Sequence, residues 1–295
     1  MPLPVRRLRR PSLLIVGCGD VGMRVLKLLG GRCRVFALTR RPEQAEILRA
    51  AGALPLVGDL DDAGTLARLA GLADAVLHLA PPPSAGATDP RTARLLHALA
   101  RKGRVQRIVY ASTTGVYGDC AGARFDETQP LRPATDRARR RVDAEARLRG
   151  YGRAHGASVT ILRIPGIYAR DRDGGHPRER LVRGTPVLAA ADDVYTNHIH
   201  ADDLARACVA ALRRGRPQRV VHVSDDTELK MGDYFDLAAD LAGLPRPPRI
   251  TREQARTELT PMLLSFMSES RRLVNDRLKR ELRVDLRYPT VDRGL

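Results

Sequence analysis

Three clusters of residues have types and spacing suited to chemistry. The first is Gly17-Cys18-Gly19-Asp20-Val21-Gly22, a G-x-G-x-x-G pattern. In such a turn the first glycine permits a tight bend and the second lets backbone approach a pyrophosphate. The third lets a helix pack closely on a strand, with the helix N-terminus facing the phosphates. The second cluster, Thr39-Arg40-Arg41, lies about 20 residues further on, where a dinucleotide fold selects its cofactor. An acid there would bond the ribose 2′-hydroxyl of NAD, but Thr39 stands in its place. The paired donors of the two arginines suit the 2′-phosphate of NADP, so NADP is favoured over NAD. The other reading is a solvated arginine pair at a helix start. The third cluster is the hydroxyl run Ser112-Thr113-Thr114.

These clusters need elements to hold them. Leu13-Leu14-Ile15-Val16 reads as a buried strand, and Val21, Val25, Leu28 and Leu29 recur at helical spacing after the glycines. Val35 to Leu38 is a second strand, and Ala53 to Val57 a third. Pro55 within it demands an edge position, and the third strand is an edge in the order 3-2-1-4-5-6. Asp59, beside Leu60, has two readings: acceptor for an adenine amino group, or a turn and capping aspartate. Ala75 to Ala80 forms a fourth strand whose end, Leu79-Ala80-Pro81, is expected beside the cofactor through its backbone. His78 within it reads as a packed core histidine. Thr92, Leu95, Leu96 and Leu99 share one face of the next helix. Arg107 to Ala111 is the fifth strand, placing Ser112 and Thr113 at its carboxyl end, which faces a ligand crevice. Ser158 to Ile164 and Val220 to Val223 are further strands. Asp202 is expected to cap the helix carrying Leu204, Ala207, Cys208 and Leu212. Met231 to Leu241 and Ser268 to Leu282 read as helices, the latter displaying Arg271, Arg272, Asn275 and Arg277.

Composition narrows the function classes. The chain has 295 residues, enough for one large α/β domain with a smaller companion. Arg6-Arg7-Leu8-Arg9-Arg10 resembles the charged opening of a signal peptide, but Leu13 to Val16 is too short for its apolar section. No apolar run approaches a membrane span. A soluble, cytoplasmic protein is expected. Cys18, Cys33, Cys120 and Cys208 are far apart and include no C-x-x-C pair, so neither a disulfide frame nor a zinc site is expected. His198-Ile199-His200 places two rings on one strand face without a third ligand nearby, and no metal is expected. The net charge of +17 admits a nucleic-acid partner. The arginines are nevertheless dispersed beside acids, and no basic run is interleaved with aromatics. Only four of the 51 basic residues are lysine, which explains the choice of arginine but not the excess of charge.

The stretches GCGDVG, GDLDD, VLHLAPPP, YASTTGVYGD, ILRIPGIYA and NHIHADDLA, in this order, resemble the extended short-chain dehydrogenase/reductase family in its nucleotide-sugar epimerase/dehydratase branch. The glycine pattern points to an atypical subgroup, since most extended members carry G-x-x-G-x-x-G. The resemblance implies a doubly wound parallel sheet (Rossmann) with a smaller discontinuous substrate domain. The expected division is 11–168 with 197–225 for the cofactor, and 169–196 with 226–295 for the substrate. It places Pro165 and Ile167 against the nicotinamide, and Tyr117, Tyr168 and Asn197 near a small-molecule substrate, sugar- or nucleotide-linked. A homodimer is among the assemblies it allows.

The family's chemistry uses a Ser/Thr, a Tyr and a Lys, with the tyrosine moving a proton at the substrate oxygen. Thr113 occupies the Ser/Thr position. With Glu145 as the acid that follows the motif, Arg141 stands at the lysine position and Arg137 at the tyrosine position. Arg141 can hold a positive charge and bind ribose hydroxyls. Arg137 cannot act as general acid, because its pKa stays above about 12. Tyr117, Tyr168 and Tyr195 are the alternative phenols. Two classes of function follow: an NADP-dependent oxidoreductase or epimerase-like enzyme with a degenerate Tyr-x-x-x-Lys motif, or a non-catalytic NADP-binding redox sensor or scaffold. Nucleic-acid binding is a third.

Overall fold

The computed structural model describes residues 11–295, so the arginine-rich opening Arg6 to Arg10 lies outside the described residues. The sheet strands are β1 (Ser12–Val16), β2 (Arg34–Thr39), β3 (Leu54–Val57), β4 (Ala75–His78), β5 (Arg107–Thr113), β6 (Ser158–Ile164) and β7 (Arg219–His222). All pair in parallel, in the order β3-β2-β1-β4-β5-β6-β7. Pro55 therefore does lie on an edge strand. The principal helices are α1 (Asp20–Leu29), α2 (Pro90–Ala100), α3 (Asp136–His155), α4 (Ala201–Arg214) and α5 (Met231–Ala242).

Side-chain alternation along β1 explains why both faces are covered. Leu13 and Ile15 join an apolar cluster with Val25 and Leu29 of α1 and Leu204, Ala207, Cys208 and Ala211 of α4. Leu14 and Val16 point into a second cluster, with Leu95 and Leu99 of α2 and Leu148 of α3. A strand buried on both faces reads as an unbroken apolar run, as Leu13 to Val16 does. A third cluster, built by Leu181, Val187, Val194, Tyr234, Phe235 and Met267, lies apart from these two.

Two local expectations are corrected, while His78 is packed in the core as expected. Ser268 to Leu282 is not one helix: Arg272–Leu273 pairs in parallel with Arg124–Phe125, and only Asp276–Arg280 is helical. Asp202 is not the cap of α4; the His200 Nδ1 accepts from the Asp202 amide, and Asp202 instead pairs with Arg24. His78 is buried and bonded through Nε2 to Thr92 Oγ1 at 2.9 Å, but its Nδ1 has no partner among the described residues. Burial pushes its pKa down to about 3, so the ring is neutral.

Candidate active site

Gly17 has φ +86°, and a Cβ added there would lie 2.5 Å from the Ala80 nitrogen. The first motif glycine is thus required both by a left-handed backbone and by the close passage of the chain leaving β4. Gly19 is the N-cap residue of α1, and no side chain caps the helix. Nothing lies within 4 Å of where a Gly19 Cβ would project. Uncapped amides, the positive end of the helix dipole and open space beside Gly19 together suit an anion. Cys18 keeps its thiol protonated, since burial raises its pKa to about 11.

Two clefts meet at this turn and share Gly17, Gly19 and Leu79. One, of about 780 Å³, is lined by Cys18, Thr39, Arg40, Arg41, Asp59, Leu60, Ala80 and Pro81. The other, of about 330 Å³, is lined by Asp20, Val21, Gly22, Ser112, Thr113, Arg141, Pro165 and Ile167. The expected cofactor residues therefore gather along two connected hollows on either side of the glycine turn. A dinucleotide has this bipartite form, and the residues present fit one.

Within the larger cleft the side chains have distinct roles. The Arg41 amide donates to Thr39 Oγ1 at 3.1 Å, and the Arg41 guanidinium is held by the Gln44 amide oxygen, while Gln44 also bonds Thr39. Arg40 is exposed. Asp59 Oδ1 accepts from the Asp61 amide at 2.9 Å, so the turn role is present, while the residue still lines the cleft. Arg91, absent from the sequence-based set, also lines it. It is held by Asp61 and donates to the Pro81 and Pro82 carbonyls.

In the smaller cleft, Arg141 donates to the Ala111 carbonyl at 2.7 Å and to the Tyr110 hydroxyl at 3.1 Å. Ser112 turns its hydroxyl inward to Glu145 at 2.6 Å. Arg172 also reaches this cleft, with its Nε 3.3 Å from Asp20 Oδ2. It comes from Ala169 to Thr185, a polar stretch with Gly174-Gly175 that reads as loop with room for one short helix, and no local signal marked it.

A third cavity, of about 560 Å³, adjoins Thr113, Pro165 and Ile167, which line it as well as the smaller cleft. Arg137, Tyr168, Tyr195 and Asn197 also line it. The structure corrects the placement of Tyr117. That ring is fully buried, its hydroxyl accepts from Arg163 at 2.7 Å and bonds His222 Nε2, and it does not line the crevice. Burial pushes its pKa up to about 12, and Arg163 opposes the rise. Tyr168 faces the crevice but is 1% exposed, with its hydroxyl directed to the Thr290 carbonyl at 3.5 Å. Asn197 uses its amide internally, donating to the Arg271 carbonyl and accepting from the Leu273 amide. Tyr195 lines the crevice half-buried, with Arg272 over its ring at 4.7 Å. Tyr234, which the sequence did not single out, stacks on His198 at 4.1 Å.

His198 and His200 are packed against Tyr234 and Tyr288. Among the described residues no group of three His, Cys, Asp or Glu side chains could hold a metal, and no helix could cross a membrane.

A family model described as the NAD dependent epimerase/dehydratase family matches residues 13–224. The chain belongs to that family. Among family relatives, the chain is 24% identical over 161 residues to the dTDP-D-glucose 4,6-dehydratase of Bos taurus, covering 51% of this chain. That match spans 43% of the bovine protein's length. A functionally unknown conserved protein from Silicibacter pomeroyi DSS superimposes with a TM-score of 0.80 at 33% identity, covering 96% of each chain. A dTDP-glucose 4,6-dehydratase double mutant from Streptomyces venezuelae, solved with NAD and DAU bound, gives 0.75 at 25% identity, covering 95% of this chain and 93% of that one. The parallel sheet with helices on both faces is the epimerase/dehydratase fold.

Proposed function

We propose that this protein is an oxidoreductase or epimerase-like enzyme of the short-chain dehydrogenase/reductase type, using NADP in preference to NAD. The observation that carries the reading is the position of Thr113. It lines both the smaller cleft beside the glycine turn and the crevice beyond it, so one residue borders both compartments, with its hydroxyl accepting from the Gly115 amide at 3.3 Å. The turn Gly17–Gly22 would hold the pyrophosphate, Arg40 the 2′-phosphate, and Arg141 the ribose. When bound, the nicotinamide supplies hydride transfer. Thr113 would donate a hydrogen bond to the substrate oxygen, and Arg141 would add positive charge nearby. The substrate is a small molecule, sugar- or nucleotide-linked. The division into 11–168 with 197–225 and 169–196 with 226–295 is part of the proposal, supported by the separate apolar cluster around Phe235.

A second reading, a non-catalytic NADP-binding sensor or scaffold, is favoured by one observation. Arg137, which the resemblance sets at the position of the family's phenol, lines the crevice and cannot donate a proton at neutral pH. A crystal soaked with NADP separates the two. The enzyme reading expects a tyrosine hydroxyl, with Tyr195 the foremost candidate, near enough to C4 of the nicotinamide to reach a substrate oxygen through about 3 Å. A nicotinamide with no phenol in reach supports the sensor.

A further inference from the structure

The excess of positive charge is concentrated at the end of the sheet opposite the clefts. In a parallel sheet with helical crossovers, each helix returns the chain to the amino edge of the next strand. Four such passages are residues 27–34, 99–107, 150–158 and 212–219. They lead from α1 into β2, α2 into β5, α3 into β6 and α4 into β7. Together they carry twelve arginines and lysines and no acid. Of the 51 basic residues in the chain, 39 then remain against 34 acids. Arginines scattered along the sequence are thus gathered by the topology onto one face.

Their side chains are open to solvent. Arg32, Arg34, Arg101, Lys102, Arg153 and Arg213 are exposed, and none of them has an ion pair among the described residues. Two carboxylates reach this edge and both are engaged: Asp74 holds Arg104 at 2.7 Å, and Glu281 holds Arg219 with Arg216 at 3.9 Å. Arg213 sits beside the end of α1, where it opposes the rise that burial gives the Cys33 pKa, so the ends of α1 and α4 form one patch. Helix C-termini attract cations through their dipoles, but at about half a charge each the four ends account for only about two. Arg34, Arg107 and Arg219 begin β2, β5 and β7. With strands about 4.8 Å apart, they mark out a row about 24 Å long. That is the axial length of about seven base pairs.

We infer that this face binds the phosphate backbone of a nucleic-acid duplex without reading its sequence. Arginine forks pair with phosphate oxygens and release the counterions condensed on them. A single strand would call for exposed aromatic rings on which bases stack. Tyr151, the one such ring in the four passages besides histidine, is buried. A membrane surface would call for apolar side chains on the same face. None of the exposed large apolar side chains among the described residues lies in these passages. The face is at the other end of the strands from the Gly17–Gly22 turn and Thr113, so a duplex and a dinucleotide do not compete.

Fluorescence anisotropy of the full chain with a labelled, mixed-sequence DNA duplex tests this. An RNA duplex, a single strand and vesicles of phosphatidylserine with phosphatidylcholine are run beside it. The duplex is expected to bind at about 50 mM salt and to lose about a thousandfold in affinity by about 200 mM, the scale of six neutralised phosphates. Arg101→Glu with Arg213→Glu, on helices that cover opposite faces of the sheet, should cost about tenfold or more and make the salt dependence shallower. The charge-matched pair Arg256→Glu with Arg293→Glu is exposed and lies beside the third apolar cluster, away from this edge. It should change duplex affinity less than about threefold. Saturating NADPH should leave the duplex bound. Should the first pair fail to fold, Arg32→Glu with Arg153→Glu carries the test. Binding of either duplex, or of both alike, supports the inference and names the source of the phosphates. No duplex binding at low salt, tighter binding of the single strand or the vesicles, equal losses in the two charge-matched pairs, or displacement by NADPH overturns it.

Discussion

Arg141 donates to the Ala111 carbonyl at 2.7 Å, which fixes a guanidinium against the carboxyl end of β5, beside Ser112 and Thr113. Under the proposed function, a cation held in this way would supply charge at the position where the family reaction uses a lysine, with planar donors in place of an ammonium. Arg141→Ala is expected to weaken NADPH binding about tenfold, the scale of one lost charge-assisted hydrogen bond. Arg141→Lys should recover most of it. Fluorescence titration of the three proteins checks both outcomes, and an unchanged affinity in Arg141→Ala would remove the residue from the site.

Arg40 is exposed beside the larger cleft, whereas Arg41 is tied to Gln44. The two are therefore not interchangeable. Arg40→Ala should weaken NADPH about tenfold or more and NADH less than twofold, since only the former carries the 2′-phosphate. Equal losses for the two nucleotides would refute the cofactor preference.

Gly17→Ala places a methyl group 2.5 Å from the Ala80 nitrogen on a backbone of φ +86°. Strain of this kind costs roughly 1–3 kcal/mol. The variant should show a lower urea midpoint together with lost dinucleotide binding. Full binding at unchanged stability would contradict the account of this turn.

Buried acid–base pairing makes a separate claim. Glu145 bonds Ser112 and, with both carboxylate oxygens, Arg163, and both partners are almost fully buried. Arg163 also reaches the Tyr117 hydroxyl. Glu145→Ala strands the Arg163 charge and is expected to cost about 3–5 kcal/mol in urea denaturation. A loss below about 1 kcal/mol would show the pair to be dispensable.

The stretches that proved legible in the sequence are those governed by local chemistry. Leu13 to Val16 sits on both apolar clusters and so had to read as a continuous apolar run, and Pro55 announced its edge. The glycine turn was legible because positive φ and close approach leave few residue choices. Long-range contacts were not legible. Arg272–Leu273 gains strand character from Arg124–Phe125, far away in sequence, and helical arginine spacing concealed it. Tyr117 carries a family turn's signature, yet Arg163 and His222 draw its hydroxyl inward. Arg91, Arg172 and Arg180 reach their cavities from segments whose local pattern is only basic or polar.

Stability should fall in acid. Burial holds His78, His198 and His222 neutral, each with its pKa lowered to about 3 from 6.5. Groups with depressed folded pKa values contribute stability that is present above 6.5 and lost as pH falls toward 3, because the unfolded chain takes up protons first. Asp225 runs the other way: burial raises its pKa to about 8, so it adds stability as pH falls from 8 toward 3.8. At pH 5 each histidine accounts for about 2 kcal/mol. Urea melts at pH 7.5 and pH 5 should show a marked loss at the lower pH, and His198→Phe should reduce that loss by about 2 kcal/mol. An equal loss in the variant would show that His198 is not the neutral, buried base described.

The central claim is that the Gly17–Gly22 turn and its two clefts hold a nicotinamide dinucleotide. Its most direct test is calorimetric titration of the full chain with NADPH and then NADH. One-to-one saturable binding is expected for both, tighter for NADPH. Failure of both nucleotides to bind would contradict the account.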